Sequence, residues 1–188
     1  MPRIHVGEAF PDLSFETYTH EKKTVSEVVA QKKHTLFWVM RFIGCRFCQY
    51  DIDDLAAAYD QFTARDAQVF AVVQSTPETI TALKGNYSVP FSIICDPQHA
   101  FYKALDVKAT ATKEDRMPQD AAGKSKLAAK KQAVEARNYG KISGDGDAAQ
   151  QLPALFIVNQ EGRVVYAHYA VHSVDMPEID EMLNLLED

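Results

Sequence analysis

Two cysteines, Cys45 and Cys48, stand two residues apart within FWVMRFIGCRFCQYDIDDLAAAYDQF, residues 37–62. Thiols at CxxC spacing can open and close a disulfide, supply half of a metal clip, or sit inert in a core. Before them runs HTLFWVMRF, a dense β-branched and aromatic stretch that reads as an interior strand over 34–42. Gly44 turns the chain out of it. After them, Ile52, Leu55, Ala56, Tyr59 and Phe62 share one helical face while Asp51, Asp53, Asp54 and Asp60 look elsewhere, so a helix is predicted over 46–63. The dithiol therefore sits at a strand-to-helix junction, where ligands of open α/β sheets gather.

That position has a chemical consequence. A helix start carries unpaired N–H groups and about half a positive charge. A thiolate is stabilised there, so Cys45 is expected to titrate below the free value of roughly 8.5. Arg46 is placed to help, and so is Arg41 if its side chain turns toward the thiol. The spacing makes Cys45 the attacking thiol, with a reachable sulfur, and Cys48 the deeper resolving one. A structural zinc site wants four ligands. The remaining cysteine, Cys95, ends an apolar strand, and His34, His168 and His172 lack the spacing of a finger. Redox chemistry is preferred over zinc and over inert packing, with no metal and no cofactor expected.

The rest of the chain must position this junction. Short helices are predicted over 24–33 and 76–87, the second with Thr76 as cap and Pro77 at its first turn. Strands are predicted over 68–75 and 90–96, followed by a helix in QHAFYKAL. Residues 108–150 break this rhythm and read as an insertion: a turn-rich stretch, then KSKLAAKKQAVEARNYG as a helix closed by Gly140, then a polar loop. Its lysines are read as a solvated face in preference to an anion-attracting patch. QLPALFIVNQEGRVVYAHYA (151–170) gives two strands around a tight turn at Asn159–Gly162, and a helix with Ile179, Met182, Leu183 and Leu186 inward closes the chain. Pro153 opens the first of those strands, as a residue without an N–H should. The sharper reading of it is a cis Leu–Pro bond facing the dithiol. This order predicts one α/β domain over 1–188, with a central mixed sheet and helices on both faces.

Composition sets the bounds. With 46% hydrophobic residues in 188, a sizeable core needs no disulfide staple. A net charge of −6 favours neither nucleic acid nor a membrane surface. No apolar run is long enough to span a bilayer and no secretory h-region opens the sequence, so a cytoplasmic protein is expected.

Taken in order, VGEAFPDLSFET, FWVMRFIGCRFC, FSIICDP and LPALFIVNQEGRVVYAHY resemble the thioredoxin-like superfamily, and within it the AhpC/TSA-type peroxiredoxin-like (redoxin) proteins. The resemblance implies a thioredoxin-like sandwich, with Cys45 attacking, Cys48 resolving and Pro153 in the place of the cis-proline lying against the disulfide. Arg41 falls near a position that some members use close to the thiol. Typical peroxiredoxins carry P-x-x-x-T/S-x-x-C; counted back from Cys45, those positions hold Trp38 and Phe42, and the thioredoxin WCGPC is replaced by Gly-Cys-Arg-Phe-Cys. The leading expectation is a thiol–disulfide oxidoreductase, with peroxide reduction as a second capacity. The alternatives are a dedicated thiol-dependent peroxidase clamping its substrate with Arg41, and a non-catalytic binding module. Implied partners are a disulfide or peroxide substrate and a thiol reductant such as thioredoxin or glutathione. The aromatic content is compatible with a homodimer.

Overall fold

The computed structural model describes residues 3–84, 88–139 and 150–187. The strands are β1 (Ser14–Thr17), β2 (Lys22–Thr24), β3 (His34–Val39), β4 (Ala67–Val73), β5 (Ser92–Cys95), β6 (Ala154–Asn159) and β7 (Val164–Tyr169). The helices are α1 (Val25–Val29), α2 (Arg46–Thr63), α3 (Pro77–Lys84), α4 (Ala100–Ala104), α5 (Lys113–Arg116), α6 (Ala121–Ala136) and α7 (Ile179–Asn184). All seven strands form one mixed sheet in the order β2-β1-β5-β4-β3-β6-β7. Its centre, β5-β4-β3, is parallel, and β1, β2, β6 and β7 add antiparallel flanks. This is the thioredoxin-like sandwich expected.

β3 shows why the sheet is buried on both faces. All six of its residues are buried. Leu36 and Trp38 point into one cluster with Ile52, Leu55 and Phe62 of α2 and Met182 and Leu183 of α7. Phe37 and Val39 point into the other, with Val25, Val28 and Val29 of α1 and Phe101 of α4. Alternation at period two thus divides one strand between two cores. The N-terminal segment crosses the second face diagonally: Gly7 N–H bonds Val164 O and Phe10 N–H bonds Gly162 O, and the chain then runs to β1 at the far side. Phe10 stacks on Phe37 on the way, ring centroids 4.8 Å apart.

Helix ends follow from local chemistry. Thr24 and Glu27 make a reciprocal capping box on α1. Thr76 Oγ1 accepts the Thr79 N–H at 3.1 Å, the cap expected of it. Asp96 Oδ1 and Oδ2 accept the N–H groups of Ala100 and Phe101 at 2.8 Å each, starting α4. The turn between β6 and β7 is closed by the Gly162 N–H on Asn159 O, with Gly162 at φ +76°, a conformation that favours glycine.

Several expected bounds shift. α1 ends at Val29 rather than 33 and β3 ends at Val39 rather than 42, because Met40 and Arg41 turn away to build the site. The helix within 108–150 begins earlier than 124, at Ala121, because Asp120 caps it by accepting the Gly123 N–H at 2.7 Å. Gly140 and the polar loop to 149 lie outside the described residues, as does the end of the predicted 76–87 helix. The lysines of α6 are not all solvated. Lys124 and Lys131 are exposed, but Lys130 is largely buried and its Nζ lies 2.6 Å from Asp51 Oδ1 on α2. Arg137 pairs with Asp54 and lies over the Tyr50 ring. The acidic side of α2, expected to look away from the apolar face, is thus the seat on which α6 rests. Gly123 lets the start of α6 pack on the chain before it: a Cβ there would meet Pro118 Cβ at 2.5 Å. Among the described residues, no helix is long and apolar enough to cross a membrane.

Candidate active site

The junction between β3 and α2 is fixed bond by bond. The Tyr102 hydroxyl donates to Met40 O at 2.8 Å, and the Gln74 N–H donates to Arg41 O at 2.9 Å. The Ile43 N–H bonds Ser75 Oγ at 3.0 Å, and Gln49 Nε2 reaches back to Ile43 O at 2.9 Å. A buried turn must satisfy its backbone in this way. It leaves Cys45 as the N-cap of α2, its Sγ accepting the Cys48 N–H at 3.4 Å. Arg41 Nη1 donates to the same sulfur at 3.4 Å.

These contacts divide the pair electrostatically. The Cys48 thiol donates to Cys45, and with Arg41 and the amides of Cys48 and Phe47 it brings Cys45 from the ordinary 9.0 down to about 6, against the upward push of burial. Cys48 moves the other way, raised by that same hydrogen bond and by burial. One sulfur is prepared as thiolate and its neighbour as thiol. The lowering of Cys45 agrees with the helix-start expectation, and of the two arginines it is Arg41 that supplies charge; Arg46 is exposed.

The expectation of a reachable sulfur is corrected. Cys45 is 7% exposed and Cys48 6%, so neither is the more open. Both border a cavity of about 20 Å³, walled by Trp38, Phe47, Asp51, Arg116, Pro153 and Met176. Arg116 comes from α5 and Met176 from the segment after β7, so side chains distant in sequence close over the thiols. Pro153 borders the cavity and opens β6, as its missing N–H requires. The cis bond is not found: among the described residues every peptide is trans. The trans chain lets the Leu152 N–H bond Lys108 O while Pro153 O accepts the Ala170 N–H.

Residues 6–167 match the AhpC/TSA family. The chain belongs to that family. No curated protein sequence matches it. Among solved structures, the reduced 2-Cys peroxiredoxin of Plasmodium vivax is similar at TM-score 0.68 and 14% identity, over 97% of this chain and 80% of that one. AhpC of Mycobacterium bovis is similar at TM-score 0.67 and 16% identity, over 99% and 92%. Peroxidoxin BcpB of Mycobacterium tuberculosis is similar at 0.66 and 11%, over 96% and 95%. At these identities the likeness is one of fold.

Two side chains at the cavity of this AhpC/TSA chain were not singled out by sequence. Arg116 is buried, its Nε bonded to Gln150 Oε1 at 3.2 Å, and its charge acts together with that of Arg41 on the thiols. It sits in a turn-rich stretch with no periodicity to mark it. Asp51 was assigned to the outer face of α2. Its place three residues beyond Cys48 was the available signal, since i and i+3 share a helix face. Burial raises Asp51 to about 6 despite Lys130 beside it. Among the described residues no cluster of three or more His, Cys, Asp or Glu could hold a metal. His168, weighed for such a cluster, instead bonds Asp175 O through Nε2 at 2.7 Å.

A depressed thiol in the folded state makes stability depend on pH. Cys45 binds its proton more weakly folded, near 6, than unfolded, at 9.0, so its contribution is complete above 9 and is lost as pH falls toward 6. The stability difference between the reduced protein and Cys45→Ser should therefore grow in favour of the former from pH 6 to 9. Urea unfolding of both under reducing conditions measures it; a difference flat with pH would contradict the ionised sulfur.

Proposed function

We propose that the protein is a thiol-dependent peroxidase, with Cys45 as the attacking thiolate and Cys48 as the resolving thiol. The observation carrying this is the combination of a sulfur shifted to about 6 with a cavity of only about 20 Å³ in front of it. A cavity needs roughly 10–15 Å³ of such volume to admit one water. Hydrogen peroxide is close to that size, whereas a protein disulfide cannot reach the sulfur of a residue 7% exposed while the covering segments stay in place. This favours peroxide reduction over general disulfide exchange.

In the reaction the Cys45 thiolate attacks one peroxide oxygen. The S–O bond forms as the O–O bond breaks, and the second oxygen leaves as hydroxide, taking up a proton to become water. Cys45 is left as a sulfenic acid, which Cys48 converts to a disulfide with loss of water. An external thiol, such as that of thioredoxin or glutathione, returns both cysteines to the reduced state. Arg41, 3.4 Å from the sulfur, supplies the electrostatic clamp where Phe42 provides no hydroxyl.

The test is a stoichiometric one. Cys48→Ser treated with hydrogen peroxide should consume one equivalent and hold Cys45 as a sulfenic acid, captured by a dione reagent and located by mass spectrometry. Cys45→Ser should consume none. Absence of the adduct under excess peroxide, with small disulfides still reduced by the wild type, would return the case to disulfide exchange.

A further inference from the structure

Closing the disulfide poses a problem that the site must solve. Cys48 gives up a proton, yet it is 6% exposed and its thiol is held in the protonated form. Around the shared cavity Arg41 and Arg116 are donors only, Trp38, Met40, Phe47, Pro153 and Met176 accept no proton, and the Ser173 hydroxyl, turned to Met117 Sδ at 4.0 Å, is no base at neutral pH. Among the described residues lining it, Asp51 is the one carboxylate. It lies three residues after Cys48 on α2, where side chains are neighbours about 5–6 Å apart at Cβ.

Asp51 also lines a second cavity, of about 270 Å³, between α2, α6 and the 174–179 segment. Trp38, Asp51 and Met176 border both cavities. One carboxylate thus stands on the partition between a cavity too small for more than one or two small molecules and a chamber with room for several waters. Lys130 holds it there at 2.6 Å.

We propose that Asp51, positioned by Lys130 of α6, is the proton carrier of the resolving step, taking the Cys48 proton as the disulfide closes. The inference rests on the peroxidase reading, which supplies the sulfenic acid. Cys48 sulfur attacks Cys45 sulfur; the S–S bond forms and the S–O bond of the sulfenic acid breaks. The Cys48 proton passes to the Asp51 carboxylate and then to the departing oxygen, which leaves as water. Cys48 is oxidised, the sulfenic sulfur is reduced, and Asp51 returns to carboxylate. No other reactant is needed. The 270 Å³ chamber gives Asp51 a route to exchange its proton with solvent. A carboxylate near 6 suits this work, being ionised at neutral pH yet more basic than an ordinary one.

The groups facing Asp51 set the pH dependence. They are Lys130 and Lys126 from α6, Glu178 from the segment before α7, Arg116 from α5, Arg41 after β3, and Cys45, Cys48 and Asp54 on its own helix. The base must be ionised, so resolution should accelerate as pH rises through about 6. Rapid-quench mass spectrometry on the full chain, with hydrogen peroxide as the probe, reads sulfenic acid and disulfide separately. In Asp51→Asn the disulfide should form about a hundredfold more slowly at pH 7, without the inflection near 6, and sulfenic acid should accumulate. Lys130→Met should move the inflection upward, since the cation favours the carboxylate. Arg137→Met breaks the other α6–α2 pair, with Asp54, at a side chain that itself lines neither cavity, and should keep wild-type resolution. Wild-type resolution in Asp51→Asn overturns the proposal. So does an equal loss in Arg137→Met, which would make the pair a mere strap. If no variant, Cys48→Ser included, forms sulfenic acid, the peroxidase reading falls and this inference with it.

Discussion

Replacing Arg41 by methionine should slow the oxidation of Cys45 by peroxide about 100- to 1,000-fold at pH 7, the scale of losing one preorganised donor at a reacting centre. Two effects combine. The guanidinium is among the groups that hold Cys45 near 6, so without it the thiol titrates higher and less thiolate is present at neutral pH. That part is recoverable by raising the pH. The larger part is not. Arg41 Nη1 stands 3.4 Å from the sulfur, where it can also meet the charge that develops on oxygen as the O–O bond breaks. In water such a contact is screened; in a cavity of about 20 Å³ around two buried sulfurs it is screened far less. Arg41→Lys should recover part of the rate, because it restores charge but not the planar fork. Stopped-flow rates for the three proteins between pH 5 and 9 separate the effects. A methionine variant that regains the full wild-type rate at high pH would confine Arg41 to tuning the thiol.

Phe37→Ala should destabilise the fold by about 3–5 kcal/mol. Phe37 is fully buried at the centre of an aromatic pile: it stacks on Phe10 at 4.8 Å and on Phe70 at 5.5 Å, and lies 6.2 Å from Phe101. Its removal deletes both the burial and the ring pairs, and rigid neighbours on a central strand cannot close the gap. Its neighbour Trp38 points to the other face, at the thiols. The variant should therefore lose stability in urea while the folded protein keeps its Cys45 thiol near 6, followed by thiolate absorbance. A loss under 1 kcal/mol would show that the pile relaxes.

Much of this architecture could be read from residue order alone, and the reasons are physical. β3, β4 and β5 are continuous apolar runs because they are buried on both faces, and α2 announces itself through the spacing of Ile52, Leu55 and Phe62. Cys45 and Cys48 were legible because a strand, a glycine and a helix leave their sulfurs a single kind of place to be. What escaped is everything brought in from a distance. Arg116 reaches the thiols across 71 positions of chain (116 − 45), and no local pattern marks that approach. Asp51 is set off the apolar face because helical periodicity separates apolar from polar, and periodicity cannot foresee that α6 will carry Lys130 to it. The depth of Cys45 was misjudged for the same reason, since nothing in the residue order shows Arg116 and Met176 closing over it. Pro153 stands just before β6 as its missing N–H requires, but no residue pattern marks the isomer of its peptide bond, which is trans.

The diagonal path of the first residues across the sheet constrains how the molecule can be made. Gly7 and Phe10 leave the ribosome well before their backbone partners at Val164 and Gly162. At 5–20 residues per second, the interval of roughly 150 residues lasts on the order of 10–30 s. Through that time Phe10 has Phe37 to stack on but lacks Phe156, its other ring partner, and the half-made sheet lacks the staple that joins its two margins.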